Sequence, residues 1–69
     1  MLNELAIFAR RFNISAADAY VLPALFEGAA RKVNMAPRAL LAQATYSNQA
    51  LGEYLAGCAR KVAAEDKAA

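Results

Sequence analysis

The longest clean amphipathic stretch of the chain, from Ser47 to about Ala64, is the feature that most limits how the chain can fold. Its apolar residues recur at spacings of three and four, which places them on one side of an α-helix. They are Leu51, Tyr54, Leu55, Cys58, Ala59 and Val62. Ser47 is predicted to cap this helix, because a serine hydroxyl can accept hydrogen bonds from the free N–H groups of a first turn. We therefore expect the shorter preceding segments to pack onto this apolar stripe.

Two of those preceding segments are simple to delimit. A first helix is predicted over residues 2–12, with Asn13 as a left-handed end point. A later helix is predicted to begin with Pro37 in its first turn and to run to about Thr45. Residues 46–47 then turn the chain into the last helix.

The segment between those helices is ambiguous because it contains a proline. Ser15 and Asp18 have the spacing of a capping box, which predicts the start of a helix that ends near Asn34. Pro23 interrupts this segment, so one kinked helix and two separate helices are both compatible with it. One kinked helix is favoured, because the apolar stripe stays in phase across the proline.

The sequence has helical patterns but no strand pattern. No run alternates apolar and polar residues between turn residues, so the chain is predicted to be all-α, a small bundle of three to four short helices. One domain is expected over residues 1–64, followed by a frayed tail over residues 65–69. The 69 residues include one cysteine and no histidine, which leaves no intrachain disulfide and no zinc site to stabilise the domain. Such a small domain is marginally stable, so burial against a partner is of interest.

An enzyme is not expected from this composition. Acid–base catalysis near neutral pH most often uses histidine, and the lone Cys58 has no imidazole to activate it. On the apolar stripe, a free cysteine usually behaves as a small buried hydrophobe. We therefore expect no catalytic residue, no cofactor, no metal and no small-molecule substrate. No secretory signal and no membrane-spanning run is recognisable, so a cytoplasmic protein without membrane contact is predicted.

Four apolar residues lie off the main stripes of their helices and are candidates for an interface. They are Ile7, Tyr20, Val21 and Leu25. A small domain cannot easily cover all of them, and contiguous exposed apolar patches tend to mark interfaces. The first functional hypothesis is therefore a non-enzymatic protein–protein interaction module, either a homodimer or a subunit of a larger assembly.

Residues 38–55 support a second hypothesis, because their apolar side chains are spaced for two helices that cross steeply around a tight turn. These apolar residues are Leu40, Ala44, Tyr46, Leu51 and Tyr54. The segment resembles the helix-turn-helix of DNA-binding proteins. It departs from that pattern at Leu41, where a small residue is preferred, and at Thr45, where glycine is favoured.

The resemblance implies DNA binding as the alternative function and assigns nucleic-acid contacts to six residues. They are Arg38, Ser47, Asn48, Gln49, Arg60 and Lys61. Asn and Gln at the start of a reading helix can pair with adenine in the major groove, and the cations would contact phosphates. The net charge of +2 permits nucleic acid as a partner without requiring it. An ordinary helical corner capped by Ser47 is the competing interpretation.

Overall fold

The computed structural model describes residues 2–69, and in that range it contains helices and turns but no strand. Helix α1 is Leu2–Arg11, α2 is Leu22–Lys32, α3 is Pro37–Ala42 and α4 is Gln49–Ala68. A 3-10 turn, Ala19–Val21, leads into α2, and a π-helical turn, Gln43–Ser47, continues α3. The prediction of a small all-α fold is confirmed.

Two asparagines end α1 and α2 in the left-handed conformation, which the sequence predicted for Asn13, while Asn34 was predicted only as an end point. Asn13 has a φ of 57° and Asn34 a φ of 58°. The N–H of Met35 donates to the carbonyl of Ala30 at 2.9 Å, and the equivalent bond after Asn13 is 2.8 Å long. This is the Schellman arrangement, which satisfies carbonyls that a helix end leaves without partners. Asparagine tolerates the left-handed region better than most residues, so both ends are encoded locally.

The prediction of a single helix kinked at Pro23 is wrong. The carbonyl of Ser15 accepts from the N–H of Asp18 at 3.0 Å in a turn, a 3-10 turn follows, and only then does α2 begin. Pro23 therefore lies in the first turn of α2, where a missing N–H breaks no helical hydrogen bond. Ser15 and Asp18 do not open a helix as a capping box would, since they close a turn, and the carboxylate of Asp18 accepts from Nζ of Lys67.

The corner between α3 and α4 is tighter than predicted. The expected turn at Tyr46 and Ser47 does not form, since the backbone stays helical through Ser47. One residue, Asn48, separates the two helices, and its side chain accepts from the N–H of Leu51 at 3.1 Å. Asn48 is therefore the cap of α4, and the assignment of that role to Ser47 is wrong. A helix-turn-helix joins its helices through about three or four residues, so this corner is shorter than that motif.

The core is built from large side chains of α1, α2 and α3. The largest fully buried side chains are Phe8, Leu22, Phe26 and Leu41. Phe8 and Phe26 meet edge to face with 5.0 Å between their ring centroids, a geometry that aromatic pairs favour. Helix α4 covers this cluster mainly with small residues.

The buried face of α4 is not the apolar stripe that the sequence predicted. Its buried residues, two of which belong to that stripe, are Gly52, Leu55, Ala56, Ala59 and Ala63. At about 100° per residue, this face is turned by roughly a quarter of a turn from the predicted one. Small residues face inward because the ring of Phe12 and the carbonyl of Ala44 lie against Gly52, where a larger side chain does not fit.

The last turns of α4 are attached to the segment that precedes α2. The hydroxyl of Tyr20 donates to the carboxylate of Asp66, and Nζ of Lys67 lies 2.6 Å from Oδ1 of Asp18. Helix α4 continues to Ala68, so the boundary predicted at residue 64 falls inside a helix.

Candidate functional site

An apolar groove, here called the α2–α4 groove, runs between these two antiparallel helices. At one end, Val33 at the end of α2 and Tyr54 near the start of α4 line the same section. At the other end, Tyr20 and Val62 line a second section. The sections have volumes of about 450 Å³ and about 680 Å³, and both include Ala24. The groove therefore follows α2 over most of its length.

Most of the large hydrophobic side chains that stay exposed lie along this groove. Six such side chains are exposed within residues 2–69, and four of them line the groove. They are Tyr20 and Val33, each 54% exposed, Tyr54 at 68% and Val62 at 43%. Single apolar residues on a surface are ordinary, whereas a contiguous set on one face is typical of interaction sites and is the feature to explain.

The groove is a consequence of the orientation of α4. Because small residues of α4 face the core, its larger residues form one wall of the groove, and these are Leu51, Tyr54, Cys58 and Val62. Periodicity assigned all four to the core, so their position in the wall of a groove was not predicted. The signal that could have found them is the second helical row of glycine and alanine beside the stripe, which offers an alternative inward face.

Three of the four residues predicted at an interface are brought together here. Tyr20, Val21 and Leu25 line the section of the groove beside the end of α4. Tyr20 is exposed and Leu25 half-buried, while Val21 is buried in the floor. Ile7 is half-buried on α1 and does not line the groove. Whether these residues contact a partner stays a prediction.

The two ends of the groove carry opposite charges. Lys32 lines the end where α4 begins, and Glu65 and Asp66 line the end where α4 finishes. Lys32 and Glu65 are both exposed. The hydrogen bond that Tyr20 donates to Asp66 raises the pKa of the tyrosine above its usual value, because it stabilises the protonated hydroxyl. The groove is therefore positively charged at one end and negatively charged at the other.

An ion pair stands beside the acidic end. The hydrogen bond from Lys67 to Asp18 holds the pKa of that carboxyl below its usual range, since it stabilises the ionised form. Neither residue lines the groove. Their role is to hold the last turn of α4 in place.

Two of the six residues predicted to contact nucleic acid share a concave surface between α4 and the end of α1. Gln49 donates its side-chain amide to the carboxylate of Glu53 at 3.3 Å, and Arg60 donates to the backbone carbonyl of Phe12. Arg11 lines the same surface. Two arginines therefore stand beside an acid, which partly neutralises the positive charge available to a phosphate.

The other four predicted contacts lie apart from that surface. Arg38 is on α3, with a guanidinium nitrogen 4.0 Å from the carboxylate of Glu4. Asn48 uses its side-chain oxygen to cap α4, and Ser47 belongs to the π-helical turn. Lys61 is exposed, about 100° around α4 from the preceding arginine. The structure thus disperses these residues over several faces.

The wall of the groove also contains a thiol. Cys58 is a free, half-buried thiol in its wall. The part of the chain that the structure covers has no cluster of three His, Cys, Asp or Glu side chains that would suit a metal ion. It also has no helix with the length and apolar character needed to cross a bilayer.

The chain matches no protein-family model, no curated protein and no solved structure. Its class is therefore defined by the fold itself, a small all-α domain with an apolar groove between two antiparallel helices. A function has to be argued from the chemistry of that groove.

Proposed function

We propose that this protein is a non-enzymatic helical interaction module that binds a second copy of itself through the α2–α4 groove. The observation that carries the proposal is the set of four large, exposed apolar side chains along the groove. Each Å² of apolar surface that a partner removes from water contributes roughly 25 cal/mol to association. The absence of enzymatic activity and of a cofactor, and a cytoplasmic location, belong to the same proposal.

The apolar walls and the charges of the groove favour a second copy of the same chain as the partner. Its walls are apolar and its ends are opposite in charge, so the surface is complementary to itself when one copy is reversed. Small domains also gain from association, because a chain of 69 residues buries only a modest core of its own. Dimer formation adds to the stability of the folded state by mass action.

Sedimentation velocity over micromolar to millimolar concentrations tests the proposal, and we expect a dimer that dissociates on dilution. Tyr54→Glu places a charge in the groove and should raise the dissociation constant about tenfold or more, a loss of at least about 1.4 kcal/mol. Tyr46→Glu is the matched control, because Tyr46 is 69% exposed and Tyr54 68%, but Tyr46 lies outside the groove. Circular dichroism checks that both variants stay helical.

Two results would overturn self-association through this groove. One is a wild type that remains monomeric up to millimolar concentration. The other is equal dissociation of the two tyrosine variants, which would remove the groove from the interface.

DNA binding remains the alternative function that the sequence raised. It predicts that random duplex DNA shifts in an electrophoretic assay at low salt and that binding weakens steeply as salt rises. Arg38→Ala should then weaken binding to all sequences, and Gln49→Ala should change sequence preference. The dispersal of the predicted contacts makes this proposal the weaker of the two.

A further inference from the structure

We propose that the two copies pair antiparallel, so that the cationic end of each α2–α4 groove meets the acidic end of the other. This inference rests on the proposed self-association and specifies its geometry. The observation behind it is the polarity of the groove, with Lys32 at one end and Glu65 and Asp66 at the other.

Electrostatics distinguishes the two ways in which identical grooves can face each other. A parallel pair brings both Lys32 side chains to one end and both Glu65 side chains to the other, and like charges across an interface oppose binding. An antiparallel pair places Lys32 of each copy at the same end as Glu65 of the other, on the opposite wall of the groove. Both arrangements are isologous and form closed dimers, so charge is what distinguishes them.

Symmetry then identifies the residue of α4 that lies at the two-fold axis. In an antiparallel pair the axis crosses the groove at its middle, and α4 of one copy runs along α4 of the other. Cys58 lies where the two sections of the groove meet on α4, seven residues after Leu51 at the cationic end and seven before Glu65 at the acidic end. The two Cys58 thiols therefore face each other at the axis, whereas a parallel pair separates them by the width of the groove.

The middle of the groove is shaped for such a close approach. Ala24, Gly28 and Cys58 line it with small side chains. A Cβ placed on Gly28 would have no atom within 4 Å, so open space lies above α2 at this point. Larger residues such as Tyr54 and Val62 stand nearer the ends, where the charged residues are.

Charge reversal tests the arrangement by sedimentation. Lys32→Glu and Glu65→Lys each place like charges at both ends of an antiparallel dimer, and each should weaken association about tenfold or more. The double variant restores opposite charges and should return to wild-type affinity. Arg31→Glu is the matched control, because it makes the same charge change one residue away on an exposed side chain that does not line the groove. Lys32→Glu lowers the net charge and Glu65→Lys raises it, so weaker association of both variants cannot come from net charge.

Cross-linking of Cys58 provides an independent readout. It is the only cysteine, so a disulfide-linked dimer must join two Cys58 side chains. Diamide supplies the oxidant: it takes two electrons and two protons from the thiols and is reduced to the hydrazine while the S–S bond forms. Wild type and Arg31→Glu should cross-link readily, and Lys32→Glu should cross-link at least several-fold more slowly at the same concentration.

These experiments can refute the antiparallel arrangement without refuting self-association. A wild type that sediments as a dimer, forms no disulfide and tolerates both single charge reversals would overturn the antiparallel arrangement and leave self-association intact. A wild type that is monomeric would overturn both. Weakening by each single variant with recovery in the double variant supports the arrangement.

Discussion

Replacing Gly52 by alanine tests the close approach of α4 on which the fold depends. A Cβ at this position would collide with the carbonyl oxygen of Ala44 and with the ring of Phe12. The carbonyl is part of the backbone of the π-helical turn, so it cannot rotate away as the end of a flexible side chain could. Overpacking of a buried site typically costs about 1–3 kcal/mol.

Gly57→Ala is the matched control for this substitution. It makes the same change in the same helix, and its new Cβ would have no atom within 4 Å. Both substitutions should gain about 1 kcal/mol, because alanine favours helix over the unfolded chain more than glycine does. Gly57→Ala should therefore stabilise the protein by about 1 kcal/mol, whereas Gly52→Ala should range from neutral to about 2 kcal/mol destabilised. The difference of about 1–3 kcal/mol between the two variants in free energy of unfolding measures the cost of the collision at residue 52.

Urea unfolding followed by circular dichroism measures this difference. Both variants must be compared at one protein concentration, because dimer formation makes the apparent stability depend on concentration. In thermal unfolding, each kcal/mol corresponds to about 4–8 °C for a domain of this size. Equal stability of the two variants would refute the close packing of α4 against α1 and the π-helical turn.

Two further predictions concern the corner before α4 and its last turn. Asn48→Ala should lower the free energy of unfolding by about 1 kcal/mol through loss of the cap, whereas Ser47→Ala should change it little. Equal losses of the two variants in urea unfolding would contradict the assignment of the cap to Asn48. As the pH falls below about 5, wild type should lose more stability than Asp18→Asn. The hydrogen bond from Lys67 keeps the pKa of Asp18 lower in the folded than in the unfolded state, so its contribution is present above the unfolded pKa and lost as the pH falls through the folded one. Parallel pH profiles of the two proteins would be the contrary result.

The parts of the fold that depend on a single residue's backbone preference were predictable from the sequence. Asn13 and Asn34 end their helices because asparagine tolerates a positive φ, and no distant contact is needed for that choice. The cap of α4 was not predictable in the same way. Ser47 and Asn48 are neighbours with similar capping ability, and the choice between them follows from the extra residue that the π-helical turn takes up.

The orientation of α4 could not be predicted from its own sequence, because it depends on how the rest of the core is filled. The same dependence decides which residues of α4 stay at the surface. The helix has two apolar rows at helical spacing, a row of large residues and a row dominated by glycine and alanine. Hydrophobicity alone favours the large row as the buried one. The core, however, is already filled by Phe8 and Phe26 from α1 and α2, so only small residues let α4 come close enough to exclude water. The large row is thereby left at the surface, where a second molecule can bury it, and the pattern that first predicted the core of this protein instead supports the proposal of its interface.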